Sequence, residues 1–64
     1  MIKAGERFLI HSYYVSNYVD VLALSDEYEW EGDKCVDILF DNGDEACTVY
    51  NEVDKRWELP DGVI

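Results

Sequence analysis

The stretch Cys35 to Tyr50, Cys-Val-Asp-Ile-Leu-Phe-Asp-Asn-Gly-Asp-Glu-Ala-Cys-Thr-Val-Tyr, constrains this chain most. Two runs rich in β-branched and aromatic residues flank Asn42-Gly43. A two-residue type I′ turn needs positive φ at both central positions, which Asn and Gly tolerate best, so the stretch reads as a β-hairpin. With that loop, Phe40 pairs with Glu45, Ile38 with Cys47 and Val36 with Val49. Strand side chains alternate with period two. Val36, Ile38, Phe40, Cys47 and Val49 then form the predicted core face. Cys35, Asp37, Leu39, Ala46, Thr48 and Tyr50 form the other. Cys47 is predicted as a small core residue and Cys35 as a partly exposed thiol. On opposite faces the two are not expected to bridge. Asp41 and Asp44 face each other at the tip, where like charges cost stability. Folding alone does not explain them.

At 64 residues the chain reads as one domain, 1–64. A domain this small buries only ~60% of its unfolded surface. Five Tyr, two Trp and two Phe compensate, since each buried ring removes ~150–250 Å² from water. Fifteen acids against five bases give a net charge of −10. That excess argues against direct nucleic-acid binding, which calls for a basic footprint, and against an anionic membrane surface. It exceeds the charge of ~2–8 that keeps a small domain soluble, which points to a basic partner. No apolar run is long enough to span a bilayer, and no signal peptide is visible. Two cysteines are too few for a disulfide scaffold, so a reducing, cytoplasmic setting is expected.

Arg7 to Ser12 reads as the first strand, with Phe8 and Ile10 inward. Tyr13 to Asn17 reads as a loop. Tyr18 to Leu24 reads as the second strand, with Val19, Val21 and Ala23 inward. A helix is the rival there, but β-branched and aromatic content favours the strand. In Ser25 to Lys34 acids and aromatics alternate from Glu27 to Glu31, a strand with one aromatic and one anionic face. A three-residue loop, Gly32 to Lys34, pairs Trp30 with Val36 and Tyr28 with Ile38. A single helical turn is the alternative. Asn51 to Lys55 lacks alternation and suggests a 3₁₀ turn with Val53 tucked in. Arg56 to Leu59 is the last strand, with Trp57 and Leu59 inward, and Pro60 ends it.

Short strands, a tight central hairpin and a one-turn helix before the last strand resemble the SH3-like small barrel. Val36 to Glu45 is similar to the strand–turn–strand of Tudor-like members. Arg56-Trp57-Glu58-Leu59 falls where their last strand lies, and Ala4-Gly5-Glu6-Arg7-Phe8 is similar to the approach to their first. The resemblance implies an all-β, five-stranded barrel acting as a binding module without catalysis. In size and charge the chain is also similar to small acidic phage proteins that block nucleic-acid enzymes.

The candidate partner-binding acids are Glu27, Glu29, Glu31, Asp33, Asp37, Asp41, Asp44 and Glu45. Their predicted target is a basic protein surface, and the sharper form is inhibition of a nucleic-acid-binding protein by mimicry. Alternate residues on a strand are ~6.7 Å apart, coarser than one charge per ~3.4 Å of a DNA strand. Mimicry would therefore need two neighbouring strands. Tyr28, Trp30 and Tyr50 are the candidate anchors, because aromatic residues dominate interface energetics. The alternative is a Tudor- or SH3-type peptide reader, for which the resemblance implies an aromatic cage or groove drawn from Tyr13, Tyr14, Tyr28 and Tyr50. No catalytic residue, metal site or cofactor is expected. One His and two Cys cannot complete a zinc site without carboxylates. The Asp41–Glu45 run lacks the calcium-loop spacing. His11 has no visible nucleophile partner, and so short a chain has little room for a pocket of ~300 Å³.

Overall fold

The computed structural model describes residues 1–12 and 17–59. Their strands are β1 (Arg7–Ser12), β2 (Asn17–Ala23), β3 (Tyr28–Trp30), β4 (Asp33–Leu39), β5 (Glu45–Asn51) and β6 (Arg56–Glu58). They form one mixed sheet in the order β2-β1-β6-β5-β4-β3, and β2 also pairs with β4. Five strands thus make a near-closed ring. The sixth, β3, lies outside it, along the start of β4. Strand directions cannot alternate around an odd ring, so one junction must be parallel. That junction is β1–β6, where Ile10 faces Trp57. The β2–β4 seam is short, with Leu22 opposite Leu39 and Ala23 opposite Ile38. The predicted five-stranded barrel is therefore corrected to six strands with a ring of five, short of a formal barrel.

Period-two alternation aims Ile10, Val21, Ala23, Val36 and Ile38 into the ring, where all are buried. Phe8, Val19, Phe40, Ala46, Trp57 and Leu59 pack around them. Trp57 meets Phe8 and Tyr50 edge to face, with ring centroids 5.9 and 5.2 Å away. The readings of β1 and β2 agree with this packing. The predicted Tyr13–Asn17 loop lies, apart from Asn17, outside the described residues, as does Pro60.

Both hairpin registers differ from the predicted ones. In β4–β5, the Gly43 N–H donates to the Phe40 carbonyl (3.0 Å) and the Phe40 N–H to that of Asp44 (2.8 Å). Gly43 has φ 92°. The loop is therefore three residues, Asp41 to Gly43, a turn closed by a left-handed glycine bulge. The Asn42 side chain holds this wider loop by accepting from the Asp44 N–H (3.0 Å) and donating to the Asp44 carboxylate (3.1 Å). The extra residue slips β5 by one and turns its side chains over. Ile38 faces Ala46, Val36 faces Thr48 and Cys35 faces Val49. Thr48, not Cys47 or Val49, points into the core, and its hydroxyl donates to the Glu58 carbonyl at 2.8 Å.

The two-residue loop is instead Glu31-Gly32, between Trp30 and Asp33. Both loop residues have positive φ, 51° and 85°, which makes it the type I′ turn. Tyr28 consequently pairs with Cys35, not Ile38. A non-glycine residue in the left-handed region costs ~1–2 kcal/mol, and Asn tolerates it better. Glu31→Asn should therefore stabilise the protein by about 1 kcal/mol, a rise in Tm of roughly 4–8 °C. Glu31→Gln removes the same charge but keeps the strain, so equal gains from both variants in a thermal melt would rule out a backbone origin.

The Asn51–Arg56 connection is a plain turn, not a 3₁₀ turn. The Asn51 side-chain Oδ1 accepts from the N–H groups of Val53 and Asp54 at 2.9 and 3.0 Å. This turns Val53 outward, where it is 91% exposed.

Candidate functional site

The structure divides the eight nominated acids between the two ends of β4. Glu29, Glu31 and Asp33 surround the β3–β4 turn. Asp41, Asp44 and Glu45 surround the β4–β5 loop. Eight residues of strand at ~3.3 Å each put up to about 26 Å between Asp33 and Asp41. That is several times the ~8 Å Debye length at physiological salt, so the two ends act independently. Asp37 lies between them on the outer face, and Glu27 precedes β3.

Several of these charges are engaged within the fold. Arg7 bridges Asp20 (3.2 Å) and Asp41 (3.0 Å), tying β1 and β2 to the β4–β5 loop. Glu27 accepts from the Ile2 N–H at 3.1 Å. Asp37 accepts from the Tyr28 hydroxyl at 2.8 Å. Lys3 reaches Asp26, and Arg56 reaches Asp54 and Glu58. Lys34 stands opposite Glu29 in the register, yet its ammonium sits 5.5 Å from the centre of the Tyr50 ring. Among the described residues no cation forms an ion pair with Glu29, Glu31 or Asp33.

The three nominated aromatics also separate. Trp30 is 64% exposed and lies opposite Asp33. Tyr28 is partly exposed on the same outer face. Its hydroxyl crosses β4 to Asp37 and to the Cys47 sulfur, 3.4 Å away. Tyr50 faces the other way, in an edge-to-face pair with Trp57 and with its face toward Lys34. Tyr13 and Tyr14 lie outside the described residues.

The slipped β5 register places Cys35 and Cys47 on one face, correcting the expectation of opposite faces. Both are free thiols. The expected exposures are reversed as well, for Cys35 is 2% exposed and Cys47 half-buried. Tyr28 is the register partner of Cys35, and its hydroxyl reaches across the outer face of β4 to Asp37 and Cys47. Burial, then the neighbouring Cys47, push the Cys35 thiol up. The hydrogen bond with Cys47, then that with Asp37, push the Tyr28 phenol up. Among the described residues no group of three or more His, Cys, Asp or Glu is placed to hold a metal ion.

One cluster escaped the sequence reading. Glu58 is 8% exposed. It accepts from Arg56 Nε (2.6 Å) and Asn51 Nδ2 (2.8 Å). Opposite charges two apart on a strand share a face, so Arg56-x-Glu58 was a legible signal.

No family model matches this chain, and no curated protein or solved structure matches it either. What defines it is architecture: a small all-β protein whose six-stranded sheet closes most of a ring. That architecture assigns no function.

Proposed function

We propose that the protein is a non-enzymatic interaction module that docks the β3–β4 tip on a basic protein surface. Glu29, Glu31 and Asp33 supply the charge, and Trp30 with Tyr28 supplies the apolar anchor. The observation that carries this reading is the pairing of three carboxylates, with no cation in an ion pair among the described residues, with a two-thirds-exposed tryptophan. Solvated acids alone would account for solubility. An exposed indole in their midst is what an interface adds, since Trp is enriched among residues that dominate binding. The SH3-like reading of the ring belongs to this proposal, as does a partner that binds nucleic acid through the same basic surface. Tyr50 takes no part, because its ring is engaged by Lys34 and Trp57.

The test begins with affinity capture from the source cell and then compares variants on the captured partner. Reversing Glu29, Glu31 and Asp33 to Lys should slow association roughly tenfold or more at low salt, as expected where charge steers encounter. Trp30→Ala should speed dissociation. Reversing Asp44 and Glu45 at the far end should do neither. A partner that binds equally well from low salt to several hundred millimolar, or that responds only to the far-end reversal, would overturn the assignment.

A further inference from the structure

We propose that Cys35 and Cys47 are a hydroperoxide-sensitive dithiol that closes to a reversible disulfide across β4 and β5, releasing Tyr28 from Cys47. The proposal does not rest on the docking reading. Its basis is the register. Phe40 and Asp44 form a hydrogen-bonded position, and such positions alternate along an antiparallel pair. Asp37–Cys47 and Cys35–Val49 are then non-hydrogen-bonded pairs, where side chains stand closer. The two cysteines are diagonal neighbours on that face. Diagonal Cα atoms are typically ~7–8 Å apart, and a disulfide spans ~4.4–6.8 Å. Closure therefore needs the strands to approach by about an ångström, and a bond formed under such strain is readily reduced again. This describes a switch, not a staple.

The surroundings order the chemistry. Asp37 is a carboxylate with only acceptor atoms, so the single Tyr28 proton is donated to it. The phenol oxygen also touches the Cys47 sulfur, 3.4 Å away. Cys47 is the thiol that solvent reaches, whereas Cys35 is buried. The Cys47 thiol loses its proton to solvent, and the thiolate attacks one oxygen of the hydroperoxide. The O–O bond breaks, giving a sulfenic acid at Cys47 and, with hydrogen peroxide, hydroxide. The Cys35 sulfur attacks the Cys47 sulfur and displaces a second hydroxide, and its proton neutralises that leaving group. Two thiols and one hydrogen peroxide give one disulfide and two waters, the two electrons passing from sulfur to peroxide oxygen. Closing the disulfide draws the Cys47 sulfur toward Cys35 and away from the phenol oxygen, so Tyr28 loses its contact with Cys47 and keeps that with Asp37. The raised pKa of Cys35 suits a thiol that reacts only once a sulfenic acid forms beside it.

The experiment treats the reduced full chain with hydrogen peroxide and reads intact mass, differential alkylation and the Cys35–Cys47 peptide. The expected product is a monomer lighter by two hydrogens, with both thiols blocked together and restored by dithiothreitol. Cys47→Ser should slow oxidation of Cys35 roughly tenfold or more, because the remaining thiol is buried and its pKa raised. Cys35→Ser should leave a sulfenic acid at Cys47 that a dimedone probe traps. A disulfide-linked dimer, a sulfinic acid at Cys47 beside an intact Cys35 thiol, or equal oxidation rates in the two variants would overturn the proposal. The wild-type mass needs no variant to fold.

Discussion

Replacing Arg56 by alanine is expected to lower the Tm by on the order of 10–20 °C, a loss of about 2–3 kcal/mol in a domain of this size. Glu58 lies on β6, between β5 and β1, with its side chain 11% exposed. Its carboxylate is held by Arg56 Nε at 2.6 Å and by Asn51 at 2.8 Å. Removing the guanidinium takes the 2.6 Å ion-pair partner from a buried carboxylate, and breaking a buried pair in this way costs ~3–5 kcal/mol. Arg56 is a quarter exposed, and solvent offsets part of that cost. The penalty belongs to the buried charge of Glu58 and not to the lost contact. The Arg56→Ala/Glu58→Gln double variant should therefore recover a substantial share of the stability. A double variant as unstable as the sum of the single ones, measured by urea unfolding, would place the effect in packing instead.

The alternation of apolar residues made β1, β2 and the core legible. Ile10, Val21, Val36 and Ile38 were assigned inward from a period of two, and all are buried. Turn type was legible in kind but not in place. The Asn-Gly pair reads equally as a two-residue loop or as the end of a three-residue loop with a bulge. The choice is made by the Asn42 side chain, which bonds Asp44 and favours the wider turn. Nothing in the residue pattern of β5 forced the matter, since Cys47 and Val49 look more apolar than Thr48. Thr48 is tolerated inside because its hydroxyl finds the Glu58 carbonyl, a partner ten residues on that no local pattern indicates. The Glu31-Gly32 turn was hidden by a glutamate in a conformation that glutamate disfavours. The candidate site depends on both registers. Each one-residue slip exchanges faces, so the thiols came together and the acids separated into two ends.

Ile38→Ala should cost about 3–4 kcal/mol, which consumes much or all of the ~3–10 kcal/mol that holds a chain this short folded. Ile38 is fully buried where the ring closes, opposite Ala46 on β5 and Ala23 on β2. Both cross-strand partners are alanines, too short to fill the void, and the seam to β2 is only two pairs long. Val49→Ala is the matched control. In the unslipped register Val49 shares the core face, and its truncation would approach the cost of Ile38→Ala. In the structure it lies half-buried on the outer face beside Cys35, and about 1 kcal/mol is expected. Chemical denaturation of the two variants separates the registers directly. Comparable losses at positions 38 and 49 would mean that β5 is turned over. That result would return Cys47 to the core and remove the geometric basis of the dithiol.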